Sequence, residues 1–221
     1  RVHAGDIGRI VSGEAAYLTG RIGKQADPGN PEARLRNWVF EKALSGDIIT
    51  EQNIHALDVA TWVLDAAPVR AVGTGGRTLR TDVGDCWDHF EVIFHFPNDI
   101  VISFHSKQCG KGFDDILCRA YGETGTLHTH YGGEVKIEGD KEYAGGMTEK
   151  IYREGAEINI GEFHDSVTKG DFSNSTVEPS VRSNLTTILG RTAAYAGGEA
   201  TWEGILKTAE KLDPKLEGLK V

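Results

Sequence analysis

The run from Trp87 to Phe96 alternates with a period of two, and that periodicity constrains the fold more than any other segment. Asp88, Phe90, Val92, Phe94 and Phe96 fall on one side, and Trp87, His89, Glu91, Ile93 and His95 on the other. Pro97-Asn98-Asp99 supplies a turn, and Ile100 to His105 reads as the returning strand, its antiparallel neighbour. Arg9 to Leu18, Val69 to Gly73, Asp115 to Tyr121, Gly125 to Tyr131 and Glu134 to Glu138 read as further strands between turns.

Elsewhere the period is helical. Glu32 to Leu44 carries helical spacing behind Pro31, and Glu51 to Leu64 carries it again. Ile160 to Lys169, Pro179 to Tyr195 and Thr201 to Lys211 follow, with Gly170 and Gly197-Gly198 as stops. Lys141 to Gly155 is polar and weakly patterned and reads as a loop. Strands segregated from helices predict an α+β fold, with a large open, mostly antiparallel sheet and helices packed on one face, in a single domain over residues 1–221.

Composition narrows the function. Lys and Arg total 24 against 33 Asp and Glu, a net charge of -9 with no basic cluster, which argues against a nucleic-acid partner. No apolar run approaches the roughly 20 residues of a membrane span, and Arg1 to Asp6 does not form an export signal, so the expected location is cytoplasmic unless a signal lies upstream. The chain opens on Arg1 directly into a turn and strand, which suggests a piece of something longer. Cys86, Cys109 and Cys118 lack CxxC spacing and read as reduced thiols.

Chemistry concentrates between Gly46 and Trp62. On one continuous helix Glu51, His55 and Asp58 (i, i+4, i+7) share a narrow strip, while Ala56, Val59 and Val63 face a core. An imidazole titrates near neutrality, and a carboxylate one turn away raises its basicity, which suits proton transfer; on an arbitrary helix the same pair is a solvated surface pair. Asp58 either orients His55 or contacts a neighbouring helix, and Asn53, pointing away from the strip, suits a turn or cap. Trp38 beside Arg36 suits a sugar ring with its hydroxyls, or else the Trp is core and the Arg solvated. His89, Glu91 and His95 either line a cleft or cover the outer face of a sheet. Lys107, after the returning strand, can reach a sugar hydroxyl. His89 with His95, or His128 with His130, places two imidazoles on one side of a strand without a patterned third and fourth ligand, so no metal is expected.

In order along the chain, Gly5-Asp6-Ile7-Gly8, Leu35-Arg36-Asn37-Trp38, Ser45-Gly46-Asp47, Glu51-Gln52-Asn53-Ile54-His55-Ala56-Leu57-Asp58, Pro68-Val69-Arg70-Ala71-Val72, Gly122-Glu123-Thr124-Gly125-Thr126, Phe163-His164-Asp165-Ser166 and Pro179-Ser180-Val181-Arg182-Ser183-Asn184 form a series. The series resembles the C-terminal domain of the Gfo/Idh/MocA oxidoreductases, which include glucose-fructose oxidoreductase and inositol dehydrogenase. The resemblance implies an open sheet that commonly forms the subunit interface, hence a homo-oligomer, and an N-terminal Rossmann domain that holds NAD or NADP. The one glycine-rich candidate here, Gly73-Thr74-Gly75-Gly76-Arg77-Thr78, lacks the third glycine of a dinucleotide fingerprint. The Rossmann half and its Glu-Lys-Pro motif are therefore expected to be missing, with no cofactor bound by these residues and no activity from them alone.

By that resemblance Glu51 and His55 occupy the acid/base positions, where many relatives carry Asp in place of Glu51. His55 is the expected general base and Glu51 its partner or a hydroxyl ligand; Asp58, Arg36, Trp38, Lys107 and His89 are candidate substrate contacts. The expected activity is NAD(P)-dependent oxidation of a sugar, cyclitol or glycoside hydroxyl. Two alternatives stay open: a glycoside hydrolase or lyase that works by transient oxidation with a tightly held NAD, and a module that serves dimerisation alone.

Overall fold

A computed structural model describes residues 1–217. The chain begins with β1 (Ile10–Thr19), followed by α1 (Ala33–Arg36), a 3-10 turn (Trp38–Phe40), α2 (Lys42–Ser45), α3 (Ile48–Glu51) and α4 (Ile54–Leu64). Next come β2 (Arg70–Gly76), β3 (His89–His95), β4 (Val101–Gln108), β5 (Asp115–Gly122), β6 (Gly125–His130), β7 (Glu134–Gly139) and β8 (Tyr143–Met147). The order closes with α5 (Ile151–Lys169), α6 (Val177–Ala196), β9 (Glu199–Thr201) and α7 (Trp202–Thr208). Nine strands form one open sheet in the order β8-β7-β6-β5-β1-β4-β3-β2-β9. Among the described residues the single parallel pairing joins β1 to β4, and the remaining pairings are antiparallel. The α+β class and the mostly antiparallel open sheet expected from the periodicity are found.

Strand alternation divides the sheet into a covered and an uncovered face. Phe90, Val92 and Phe94 of β3 and Ile102 and Phe104 of β4 are buried against Leu57 and Ala60 of α4 and Leu189, Ala193 and Ala194 of α6. Burial at roughly 25 cal/mol per Å² of apolar surface makes this layer the main stabilising contact. Gly190 lets α6 come this close: a Cβ there would stand 2.6 Å from Cζ of Phe94. A smaller cluster of Ile7, Ala120, Leu127 and Ile137 extends the core toward β7. The other face keeps Val72 and Ile93 exposed.

Three expectations are corrected. Glu32 to Leu44 is not one helix but α1, the 3-10 turn and α2, because Asn37 turns inward, accepting from the backbone N–H of Gln25 at 2.8 Å and donating to the carbonyl of Ala26 at 2.8 Å. Lys141 to Gly155 is not a loop: it contains β8 and the first turn of α5. No residue of α5 is buried, so it has no core-facing stripe for periodicity to reveal. The third correction, a break between Glu51 and His55, bears on the candidate site.

Candidate active site

The site begins with an unusual turn. Asp47 has φ 75° and ψ 165°, a region that costs a non-glycine residue about 1–3 kcal/mol. Its carboxylate compensates, accepting from the N–H of Ile48 at 2.7 Å, the N–H of Trp87 at 3.2 Å and the hydroxyl of Tyr195 at 2.6 Å. Burial pushes this carboxyl up from its ordinary pKa, and those three donors oppose the rise. Asp47 thus fixes α3, whose Ile48 and Ile49 are fully buried.

The helix does not continue unbroken to His55. α3 ends at Glu51, and the N–H of Asn53 reaches back five residues to the carbonyl of Ile48 at 2.9 Å, a widened turn of the kind that re-aims side chains at functional sites. Asn53 stands at the start of α4 as expected for a cap, yet its side chain makes no capping bond. The reading of Glu51, His55 and Asp58 as one strip of one helix is therefore wrong in detail, although the Asp58 charge still acts on His55 and that of Glu51 on Tyr17.

Glu51 is half-buried, and its side chain makes no hydrogen bond among the described residues; burial raises its pKa. His55, exposed along one edge, stacks on Tyr17 with 6.5 Å between ring centroids and leans on Tyr131 at 5.1 Å. This partial desolvation lowers its pKa below the ordinary value, and the negative charge of Asp58 works in the opposite direction. The imidazole is neutral at physiological pH and available as a proton acceptor. Asp58 itself accepts from the hydroxyl of Ser183 at 2.5 Å, so it also ties α4 to α6.

Three tyrosines complete the cluster, and the sequence reading had none of them. Tyr17 of β1 and Tyr131, just past β6, project from the covered face: Tyr17 stands opposite Ile116, and the N–H of Tyr131 donates to the carbonyl of that same residue. Tyr152, in the first turn of α5, meets the Tyr131 ring edge-on at 5.2 Å. Burial, with Tyr152 and Glu51 nearby, pushes the Tyr17 hydroxyl up to about 12, and burial beside Tyr152 likewise raises Tyr131. These hydroxyls therefore remain donors throughout the working pH range. A carboxyl, an imidazole and phenols converge from five segments at one end of the covered face.

The remaining candidates lie elsewhere. His89 pairs with Lys107 across β3 and β4, and Lys107 pairs with Leu18, next to Tyr17 in sequence and so on the opposite side of the sheet. Strand parity thus puts His89 and Lys107 on the uncovered face, away from His55. His89 there contacts Asp88 at 2.8 Å, and Lys107 donates to Asp114 at 2.9 Å. Arg36 is spent on Glu32, the residue that caps α1, at 2.8 Å, and Trp38 is 45% exposed. Neither has a hydrogen bond or ring contact to Glu51 or His55 among the described residues. The run Gly73 to Gly76 lies within β2, zipped to β3, and forms no phosphate-cradling turn. Among the described residues, no group of three or more His, Cys, Asp or Glu side chains is placed to hold a metal, and no helix is long and apolar enough to cross a membrane.

The family model for the GFO/IDH/MocA C-terminal domain matches residues 1–128. The chain belongs to that family. No curated protein matches it in sequence. Among solved structures of this Gfo/Idh/MocA fold, levoglucosan dehydrogenase in complex with NADH superposes with a TM-score of 0.69 at 18% identity, over 90% of this chain and 60% of that one. Myo-inositol 2-dehydrogenase from Lactobacillus plantarum gives 0.63 at 16% identity, over 90% and 59%. Aldose-aldose oxidoreductase from Caulobacter crescentus, complexed with glycerol, gives 0.67 at 13% identity, over 90% and 58%. The chain thus spans about three fifths of the length of these structures. At such identities the likeness shows a shared fold.

Proposed function

We propose that this Gfo/Idh/MocA domain binds a sugar, cyclitol or glycoside and carries the general base of an NAD(P)-dependent oxidoreductase, with His55 in that role. The observation that carries the reading is the placement of His55: a neutral imidazole with a free edge, against Tyr17 and Tyr131, with a Glu51 carboxyl near Tyr17 that accepts no hydrogen bond among the described residues. Most buried or half-buried ionisable groups are tied up; this pair is left open. The fold neighbours solved with NADH and L-sorbose, or with glycerol, support a polyol as the substrate class.

Oxidation of a carbinol requires removal of the hydroxyl proton, and an imidazole of lowered pKa is suited to accept it at neutral pH. Tyr17 and Glu51 would hold the neighbouring substrate hydroxyls, as donor and acceptor respectively, and the tyrosine rings would meet the apolar face of the sugar. The glycine-rich run Gly73 to Gly76 is locked in β2 and is not available as a dinucleotide cradle. A nicotinamide, which when bound supplies hydride acceptance, is accordingly assigned to chain beyond the described residues.

The test is His55→Ala in the full-length protein, assayed for reduction of NAD and NADP with a panel of polyols and sugars. Turnover should fall by about 10²–10⁴-fold, the usual range for loss of a general base. The melting temperature should hold, because His55 is exposed and makes no side-chain hydrogen bond among the described residues. Turnover that survives the substitution in a folded protein removes His55 from the mechanism.

A further inference from the structure

Behind Gln52, in the widened turn between Glu51 and His55, runs a chain of carboxamides anchored on a buried arginine. Arg80 is fully buried, its guanidinium lying 5.0 Å from the centre of the Phe40 ring. It donates to the carbonyl of Trp87 at 2.5 Å and to Oε1 of Gln108. Gln108, also fully buried, donates through Nε2 to Oε1 of Gln52 at 2.7 Å. Gln52 is only half-buried, and its own Nε2 has no partner among the described residues and is not sealed from solvent.

The direction of this chain is dictated by chemistry. A guanidinium has donors and no acceptor, so Gln108 must turn its oxygen toward Arg80 and its amide toward Gln52. Gln52 must then meet that amide with its oxygen, which leaves its NH₂ facing outward. Gln108 continues the covered-face row of β4 two residues beyond Ser106, the register partner of Tyr17. Gln108 and the Gln52 oxygen that it meets therefore lie at the same end of the sheet as Tyr17, and Gln52 stands between Glu51 and His55 in the widened turn.

We propose that Gln52 is a substrate-binding residue that recognises a hydroxyl or carbonyl oxygen beside the reacting carbon, with its donor polarity set by Arg80 acting through Gln108. Resting on the oxidoreductase reading above, the assignment adds a residue that neither the acid/base spacing nor the tyrosine cluster includes. A fixed donor here matters because the reacting oxygen takes on alkoxide character, and so becomes a stronger acceptor, as the base removes its proton, and a pre-aimed N–H stabilises that charge without reorganisation.

The discriminating variant is Gln108→Glu in the full-length protein. Glu at 108 still satisfies Arg80, now as an ion pair, but offers Gln52 only acceptors, so the Gln52 carboxamide turns round and presents oxygen to the site. Side-chain amide exchange read by NMR should show a protected Gln108 NH₂ and a fast-exchanging Gln52 NH₂ in the wild type, with Gln52 protected in the variant. With myo-inositol and levoglucosan as probes, kcat/KM should drop at least tenfold in Gln108→Glu and in Gln52→Met, with the melting temperature of Gln108→Glu retained. A protected Gln52 amide in the wild type overturns the proposal whatever the activity, as does a kcat/KM within twofold of wild type in both variants. Failure of the broader reading looks different: His55→Ala would keep its turnover while the Gln52 amide still exchanged fast.

Discussion

Asp47 and Glu51 stand four residues apart at the two ends of one helical turn, and their surroundings are opposite. Asp47 is fully buried and saturated, with two backbone N–H groups and the Tyr195 hydroxyl on its two oxygens. Glu51 is half-buried and accepts nothing from the described residues. Burial raises both pKa values, but only Asp47 is given donors in return. A carboxylate that holds the fold together has its lone pairs filled by the chain; one reserved for a ligand keeps them empty. The same contrast separates Asp88, fully buried and accepting from the N–H groups of Thr78, Leu79 and Arg80, from the His55 cluster.

The contrast can be broken most forcibly at Asp47. Asp47→Ala strips partners from Tyr195, Trp87 and Ile48 and leaves a β-carbon in a glycine region of backbone space. We expect about 3 kcal/mol of lost stability in urea unfolding, and about 1 kcal/mol less for Asp47→Gly, which relieves the backbone while losing the same bonds. Equal losses in the two variants would show that the φ of 75° stores no strain.

Asp88 sharpens the comparison through pH. Burial alone would raise its pKa, but the N–H of Arg80, the His89 ring and the N–H groups of Leu79 and Thr78 outweigh burial and hold it down at about 2. A folded pKa below the unfolded one, which is about 3.9, means that the stabilisation is fully present above pH 4 and is lost as pH falls toward 2. The expected loss is about 2 kcal/mol. Acid titrations of unfolding should show it in the wild type and not in Asp88→Asn, whose stability is already reduced at pH 7.

What was legible in the sequence follows from how locally each feature is encoded. The alternation of β3 and β4 was readable because burial on a strand is decided by parity: Phe90, Val92 and Phe94 are buried and Glu91 and Ile93 exposed, as their spacing indicated. His55 and Glu51 could be singled out as candidates through family spacing. The break between them was not legible, because nothing in the pattern of Gln52 and Asn53 marks it, and the bond that meets Gln52 comes from Gln108 on distant β4. Tyr17, Tyr131 and Tyr152 sit on three distant segments, and only the β1–β5–β6 register brings them together. His89 and Lys107 were misplaced for the same reason: their face could be assigned relative to each other, but not relative to Tyr17 until β1 was known to lie beside β4.

Tyr17 offers the finest test of whether an open polar group marks function. Tyr17 is 3% exposed and its ring packs against His55, whereas its hydroxyl makes no hydrogen bond among the described residues. Removing only the oxygen, as in Tyr17→Phe, keeps the stacking and breaks no bond within the chain, so the urea midpoint should not move. If the hydroxyl donates to a substrate oxygen, kcat/KM should fall about tenfold, equivalent to roughly 1.4 kcal/mol, mostly through KM where the contact is equally strong in ground and transition states. The acid limb of the pH profile should stay where His55 sets it, below the ordinary imidazole value, because burial and not the Tyr17 oxygen is the main cause of that lowering. A Tyr17→Phe protein that loses stability and keeps its kcat/KM would move Tyr17 to the side of Asp47, among the groups that build the fold and leave the chemistry to others.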